Sequence, residues 1–92
     1  MAWRLEFTPL CARILHKLDP PTARRILEYL EDAVRLPDPR RRGRGLTGPL
    51  AGFWRYRVGD YRVLCRLEDA RLVVLILEIC RRSQGYPPKP TG

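Results

Sequence analysis

Lysine is almost missing from this chain: Lys17 and Lys89 stand against sixteen arginines. Histidine occurs once, as His16, and cysteine three times, as Cys11, Cys65 and Cys80. One histidine and three scattered cysteines have no close ligand pair, which argues against a zinc knuckle, and against a disulfide framework. The thiols read instead as small, partly buried apolar groups in a reducing compartment. No metal or other cofactor is implied. No apolar run approaches the roughly 18–20 residues that span a bilayer, so no membrane association is expected. The opening MAWRLEF has neither a long apolar segment nor a small-residue cleavage site, which predicts no signal peptide and a cytoplasmic location.

What the chain has is positive charge. The net charge is +8 over 92 residues. That length makes one small domain with a thin core. The charge points to an acidic partner, either nucleic acid or protein. Arginine offers a planar fork of donors that matches phosphate. A G+C-rich genome also enriches arginine, so its placement carries more weight than its number.

Residues 2–7 alternate, with Trp3, Leu5 and Phe7 on one side and Arg4 and Glu6 on the other, as in a strand with one buried face. Thr8-Pro9 and Asp19-Pro20-Pro21 are both helix starts, a capping oxygen followed by proline in the first turn. Leu10, Ile14 and Leu18 give the first helix its apolar stripe. Ile26, Leu27, Leu30, Ala33 and Val34 give the second helix its own. Pro37 and Pro39 stop it, so the two helices form a hairpin. Residues 38–45, DPRRRGRG, read as a loop. Arg40, Arg41, Arg42 and Arg44 there are either a solvated basic loop or a flexible phosphate clamp that binds RNA.

The segment 53–79 reads as three strands. Trp54, Tyr56 and Val58 share one face, and Phe53, Arg55 and Arg57 the other. Gly59-Asp60 suits a type II′ turn. The next strand, 61–67, puts Tyr61, Val63, Cys65 and Leu67 on one face and Arg62, Leu64 and Arg66 on the other. Glu68-Asp69-Ala70 turns the chain again. The almost wholly apolar run 72–79 suits an inner strand. Residues 1–86 form the single domain, and the proline-rich 87–92 reads as a flexible tail.

The Gly59-Asp60 turn sets Arg57 opposite Arg62, with Arg55 two residues along the same face. Like charges so placed repel. The plainer account is the polar side of a half-exposed sheet. A fold tolerates such a cluster most easily where an anion is meant to sit. A two-residue loop at Asp69-Ala70 would bring Arg81 to this face, and a three-residue loop, 68–70, would bring Arg82. Asp-Ala is not a favoured two-residue turn, so the three-residue loop and Arg82 are expected.

In order, the chain carries Leu46-Thr47-Gly48, Trp54-Arg55-Tyr56-Arg57, Gly59-Asp60-Tyr61-Arg62, an apolar strand, the pair Arg81-Arg82, and Tyr86. This series resembles the RelE/ParE superfamily of bacterial type II toxins over most of the chain. The resemblance implies an α+β fold of order β-α-α-β-β-β, a two-helix hairpin on a small, mostly antiparallel twisted sheet. It implies a toxin held in check by a cognate antitoxin, expected here to be acidic. On the RelE side it implies a metal-independent endoribonuclease that cuts mRNA in the ribosomal A site. Carried over by position, the catalytic set is Arg55, Arg57, Arg62, Arg82 and Tyr86. Arg40, Arg41, Arg42, Arg44 and Arg81 are RNA-binding candidates. Tyr86 is placed to stack on a base, and Arg55 or Arg57 to orient the attacking hydroxyl. Some active members of the family carry lysines on the second strand, where this chain has Arg55 and Arg57, and the position of Arg81 is often histidine in related sequences. Asp60, Glu78 or water is then left as proton acceptor, and His16 reads as a surface or boundary residue. Two alternatives share the fold: a ParE-like inhibitor of DNA gyrase, and an inactive relative that only binds nucleic acid or antitoxin. The toxin alone is expected to be a monomer.

Overall fold

The computed structural model describes residues 2–81. Arg82, Tyr86 and the tail 87–92 lie outside the described residues. The element order is β1 (Arg4–Phe7), α1 (Pro9–Lys17), α2 (Pro20–Arg35), β2 (Arg44–Gly45), β3 (Trp54–Val58), β4 (Tyr61–Glu68) and β5 (Val73–Arg81), with single 3₁₀ turns at Pro39–Arg41 and Gly48–Leu50.

Both helices begin where their caps require. The Thr8 hydroxyl accepts from the Cys11 amide at 3.3 Å, and Pro9 enters the first turn of α1. The Asp19 carboxylate accepts from the Thr22 amide at 3.2 Å and the Thr22 hydroxyl at 2.8 Å. Each proline gives up an amide that would have no intrahelical partner anyway. The amphipathic stripe of α2 buries Ile26, Leu30 and Ala33.

The strands form one sheet in the order β1-β5-β4-β3-β2. Among the described residues only the β1–β5 pair is parallel, with Leu5 against Val74 and Phe7 against Ile76. Both helices cover one face of this sheet. The core between them holds Trp3, Cys11, Ile26, Leu30, Tyr56, Val63, Cys65, Val74, Ile76 and Ile79. All three cysteines are free thiols, Cys11 and Cys65 buried and Cys80 half-buried. Burial pushes the Cys65 thiol far above its ordinary range, so it stays protonated. No helix among the described residues is long and apolar enough to cross a membrane.

Two expectations need correction. Residues 38–45 are not simply a loop. Asp38 accepts from the Arg40 amide at 2.9 Å and starts a 3₁₀ turn. Arg44–Gly45 then pairs with β3 as a fifth, edge strand. Two residues are too few to show alternation, which hid β2 in the sequence. The β4–β5 connection is also not the three-residue loop 68–70. Glu68 pairs with Val73, leaving residues 69–72 in the turn, and Leu72 takes a left-handed φ of 54°. A bulge at Leu64/Cys65 then shifts the register by one residue.

Candidate nucleic-acid interface

Gly59 takes φ 57° at the first central position of the β3–β4 turn, as the type II′ reading requires. The register that follows sets Arg57 opposite Arg62 and Val58 opposite Tyr61. Arg55 pairs with Leu64 on one side and with Arg44 of β2 on the other. Two rows therefore cross the sheet face away from the helices. One runs Arg44, Arg55, Leu64, Glu78; the next runs Arg57, Arg62, Cys80. Arg44 and Arg57 are exposed, and Arg55 and Arg62 are half-buried. The Arg62 Nε is fully withdrawn from solvent.

Gly43, Arg44, Arg55 and Arg57 line an open hollow of about 240 Å³ at the β2–β3 edge. Among the described residues, no carboxylate pairs with Arg44 or Arg55. Three guanidinium-bearing residues around one open cavity are chemically able to hold an anion such as phosphate.

Two other arginines of the strap, residues 38–45, help to hold it down. Arg40 grips Asp69 through two bonds, Nη1 to Oδ1 at 3.0 Å and Nη2 to Oδ2 at 2.7 Å. It also lies 5.8 Å from the Trp3 ring centroid. Arg42 sits 5.0 Å over the Tyr29 ring and donates to the Tyr29 carbonyl at 3.4 Å. From beneath, the Tyr56 hydroxyl donates to the Pro39 carbonyl and the Trp54 indole N–H to the Arg42 carbonyl, each at 2.8 Å. This is a pinned strap rather than a flexible clamp. Arg41 is exposed, and Arg44 alone of the four reaches the hollow.

Arg81 does not join the Arg57–Arg62 row. The bulge in β5 sets it opposite Tyr61, and sets Cys80 opposite Arg62. There the Tyr61 hydroxyl, with Asp60 and Asp19 nearby, favours the charged guanidinium. Burial raises the Cys80 thiol above its ordinary range, Arg62 draws it down, and Glu78 raises it further. Glu78 itself is buried, in the row of Arg55. His16 is exposed on α1. It lines an apolar hollow with Phe7, Ala12, Leu15, Ala23 and Leu27, between the helices and β1.

Sequence reasoning counted Trp54 and Tyr56 only as one face of a strand and gave Gly43 no role. The one available signal was a glycine set among four arginines, where a close backbone approach is a reason for glycine.

Comparison with known proteins gives a consistent picture. Residues 5–86 match the family model described as "ParE toxin of type II toxin-antitoxin system, parDE". The toxin RelG of Mycobacterium tuberculosis is 36% identical over 87 residues, covering 94% of this chain and 98% of that protein. The toxin RelE of the same organism is 33% identical over 88 residues, covering 96% and 90%. Among solved structures, the toxin–antitoxin complex RelBE2 of M. tuberculosis superposes with a TM-score of 0.79 at 35% identity, over 89% of this chain and all of that one.

Proposed function

This chain belongs to the RelE/ParE superfamily of type II toxins, and from that premise we propose that it is a ribosome-dependent mRNA endoribonuclease that inhibits translation. The observation that carries the reading is the arginine hollow beside the Arg57–Arg62 row, on the sheet face the helices leave open.

In the proposed reaction the ribose 2′-oxygen attacks the adjacent phosphorus. A new P–O2′ bond forms and the P–O5′ bond breaks. The 2′-hydroxyl gives up its proton, and the departing 5′-oxygen takes one. The products are a 2′,3′-cyclic phosphate and a free 5′-hydroxyl. Negative charge on the phosphoryl oxygens grows toward the transition state, and fixed guanidinium donors stabilise that growth. Arginine stays protonated in proteins, so these residues supply charge stabilisation and leave the proton transfer to another group. Arg55, Arg57 and Arg62 take the charge-stabilising role. Arg82 and Tyr86 belong to the proposed catalytic set by their positions in the family pattern. The ribosome supplies alignment of the mRNA in its A site, which relieves the toxin of orienting its substrate alone.

The proposed protein partner is an acidic antitoxin whose chain covers the arginine face or displaces a toxin element. The likeness to a toxin that was solved with its antitoxin supports this. Co-purification of the product of a neighbouring gene tests it.

A second reading has the family model's own description in its favour: a ParE-like toxin that binds DNA gyrase. Cell-free translation with primer extension on the mRNA decides between the two. Codon-specific cleavage that disappears in Arg62→Ala is the expected result. Gyrase inhibition without cleavage would establish the second reading, and neither effect would mark an inactive relative.

A further inference from the structure

The hollow exists only because β2 lies against β3, and β2 is two residues long. Its pairing sets Arg44 directly opposite Arg55. Those like charges repel across the strand pair. So short a strand, with repelling partners, needs something else to keep it in place.

Trp54 supplies it. Its indole N–H donates to the Arg42 carbonyl at 2.8 Å, just before the strand. The next residue, Gly43, has a φ of 80°. A side chain there would come within 2.6 Å of the Trp54 Nε1 and 2.8 Å of the Tyr56 Cδ1, and would run into the Arg55 carbonyl oxygen. Gly45 pairs with Trp54, and a Cβ on it would stand 3.2 Å from the indole Cζ3. One indole therefore seats the strap at residue 42 through a hydrogen bond and at residues 43 and 45 through glycine contacts. Arg44 lies between those two glycines. Strand alternation turns it to the opposite side, where it lines the hollow with Arg55 and Arg57.

We propose that Trp54 is a positioning residue of the anion site: its hydrogen bond to the Arg42 carbonyl holds Arg44 over the hollow against the repulsion of Arg55, and so sets how many phosphates the face engages. The inference rests on the nucleic-acid reading of that hollow. Trp54 touches no ligand itself and acts through Arg44.

The test uses the full chain and a single-stranded 2′-O-methyl ribo-oligonucleotide, which binds without being cut. Its affinity is measured across a salt series for wild type, Trp54→Phe, Arg44→Ala and the double variant. Phenylalanine keeps a ring under the strap, removes the indole donor and trims the ring that faces Gly45. Each single variant is expected to flatten the salt dependence by about 0.7 in log–log slope, one phosphate contact on a single strand. The double variant is expected to be no worse than Arg44→Ala alone, because both changes remove the same contact. An unchanged slope in Trp54→Phe, or losses that multiply in the double variant, overturns the proposal. If Trp54→Phe does not fold, Gly43→Ala decides. It pushes the strap off β3 while leaving the indole intact, and it must flatten the slope equally for the proposal to stand. A wild-type chain that does not bind the oligonucleotide would overturn the nucleic-acid reading and this inference with it. Wild-type binding with a flattened slope in Arg44→Ala and a normal slope in Trp54→Phe overturns the positioning role alone, and a normal slope in Arg44→Ala overturns the reading of the hollow itself.

Discussion

Arg40 and Arg44 sit four positions apart in the same strap, and their surroundings have little in common. Arg40 is held by both oxygens of Asp69, touches Asp38, and lies against the Trp3 ring. Arg44 faces Arg55 and an open hollow. The first arrangement is a structural clasp between the strap and the β4–β5 turn. The second sets Arg44 against Arg55, and among the described residues no carboxylate pairs with either, which costs stability unless an anion arrives. The number of arginines in a basic segment therefore says little about how many are left to meet an anionic partner. Their neighbours decide it.

Two substitutions break this comparison most sharply. Arg57→Ala should lower mRNA cleavage by about 10²–10³-fold, the usual loss for a fixed donor to a developing negative charge. It should leave folding stability within about 0.5 kcal/mol, since it also removes a like charge from opposite Arg62. Arg40→Ala should do the reverse. It removes the clasp and the contact with Trp3, at a cost of about 1 kcal/mol, and should lower Tm by about 4–8 °C. Cleavage per folded molecule should be retained. Thermal melts paired with primer extension check both, and matching losses of activity would dissolve the distinction.

A smaller effect sharpens the clasp half of the comparison. The hydrogen bond from Arg40 holds the Asp69 carboxyl below its ordinary range. Its folded value is then lower than its unfolded one. The stabilisation is complete above the unfolded value, near pH 4, and is lost as the pH falls through the folded value. Tm measured from pH 7 down to pH 2 should therefore show wild type above Asp69→Asn at neutral pH, with the gap closing below about pH 4. A gap that stays constant through the acid range would mean the carboxylate charge contributes nothing there.

Much of this was legible in the chain itself, and the part that was not has definite causes. Period-two alternation in residues 53–67 predicts which arginines share a face, because a single misplaced residue would have buried them. The helix starts at Thr8 and Asp19 are visible because each cap requires a specific oxygen followed by proline. The edge strand β2 was hidden by its length. Arg81 stays off the Arg62 row as expected, but not through the expected loop: the cause is the bulge at Leu64/Cys65, which one sequence does not announce and which moves every later β5 side chain to the other face. The Glu68–Val73 pairing alone would have set Arg62 opposite Ile79, with Arg81 on the arginine face. The bulge instead sets Arg62 opposite Cys80. The strap looked mobile because its sequence offers four arginines, two glycines and no large apolar side chain. What pins it are Trp54 and Tyr56 from a strand more than ten residues later.

The most direct measurement is the salt dependence of RNA binding by a variant in which Arg44, Arg55 and Arg57 are all replaced by alanine. Three lost phosphate contacts on a single strand should reduce the log–log slope by about 2, while Arg40→Ala keeps the wild-type slope. Equal slopes for the triple variant and wild type would contradict the assignment of this hollow to the RNA backbone.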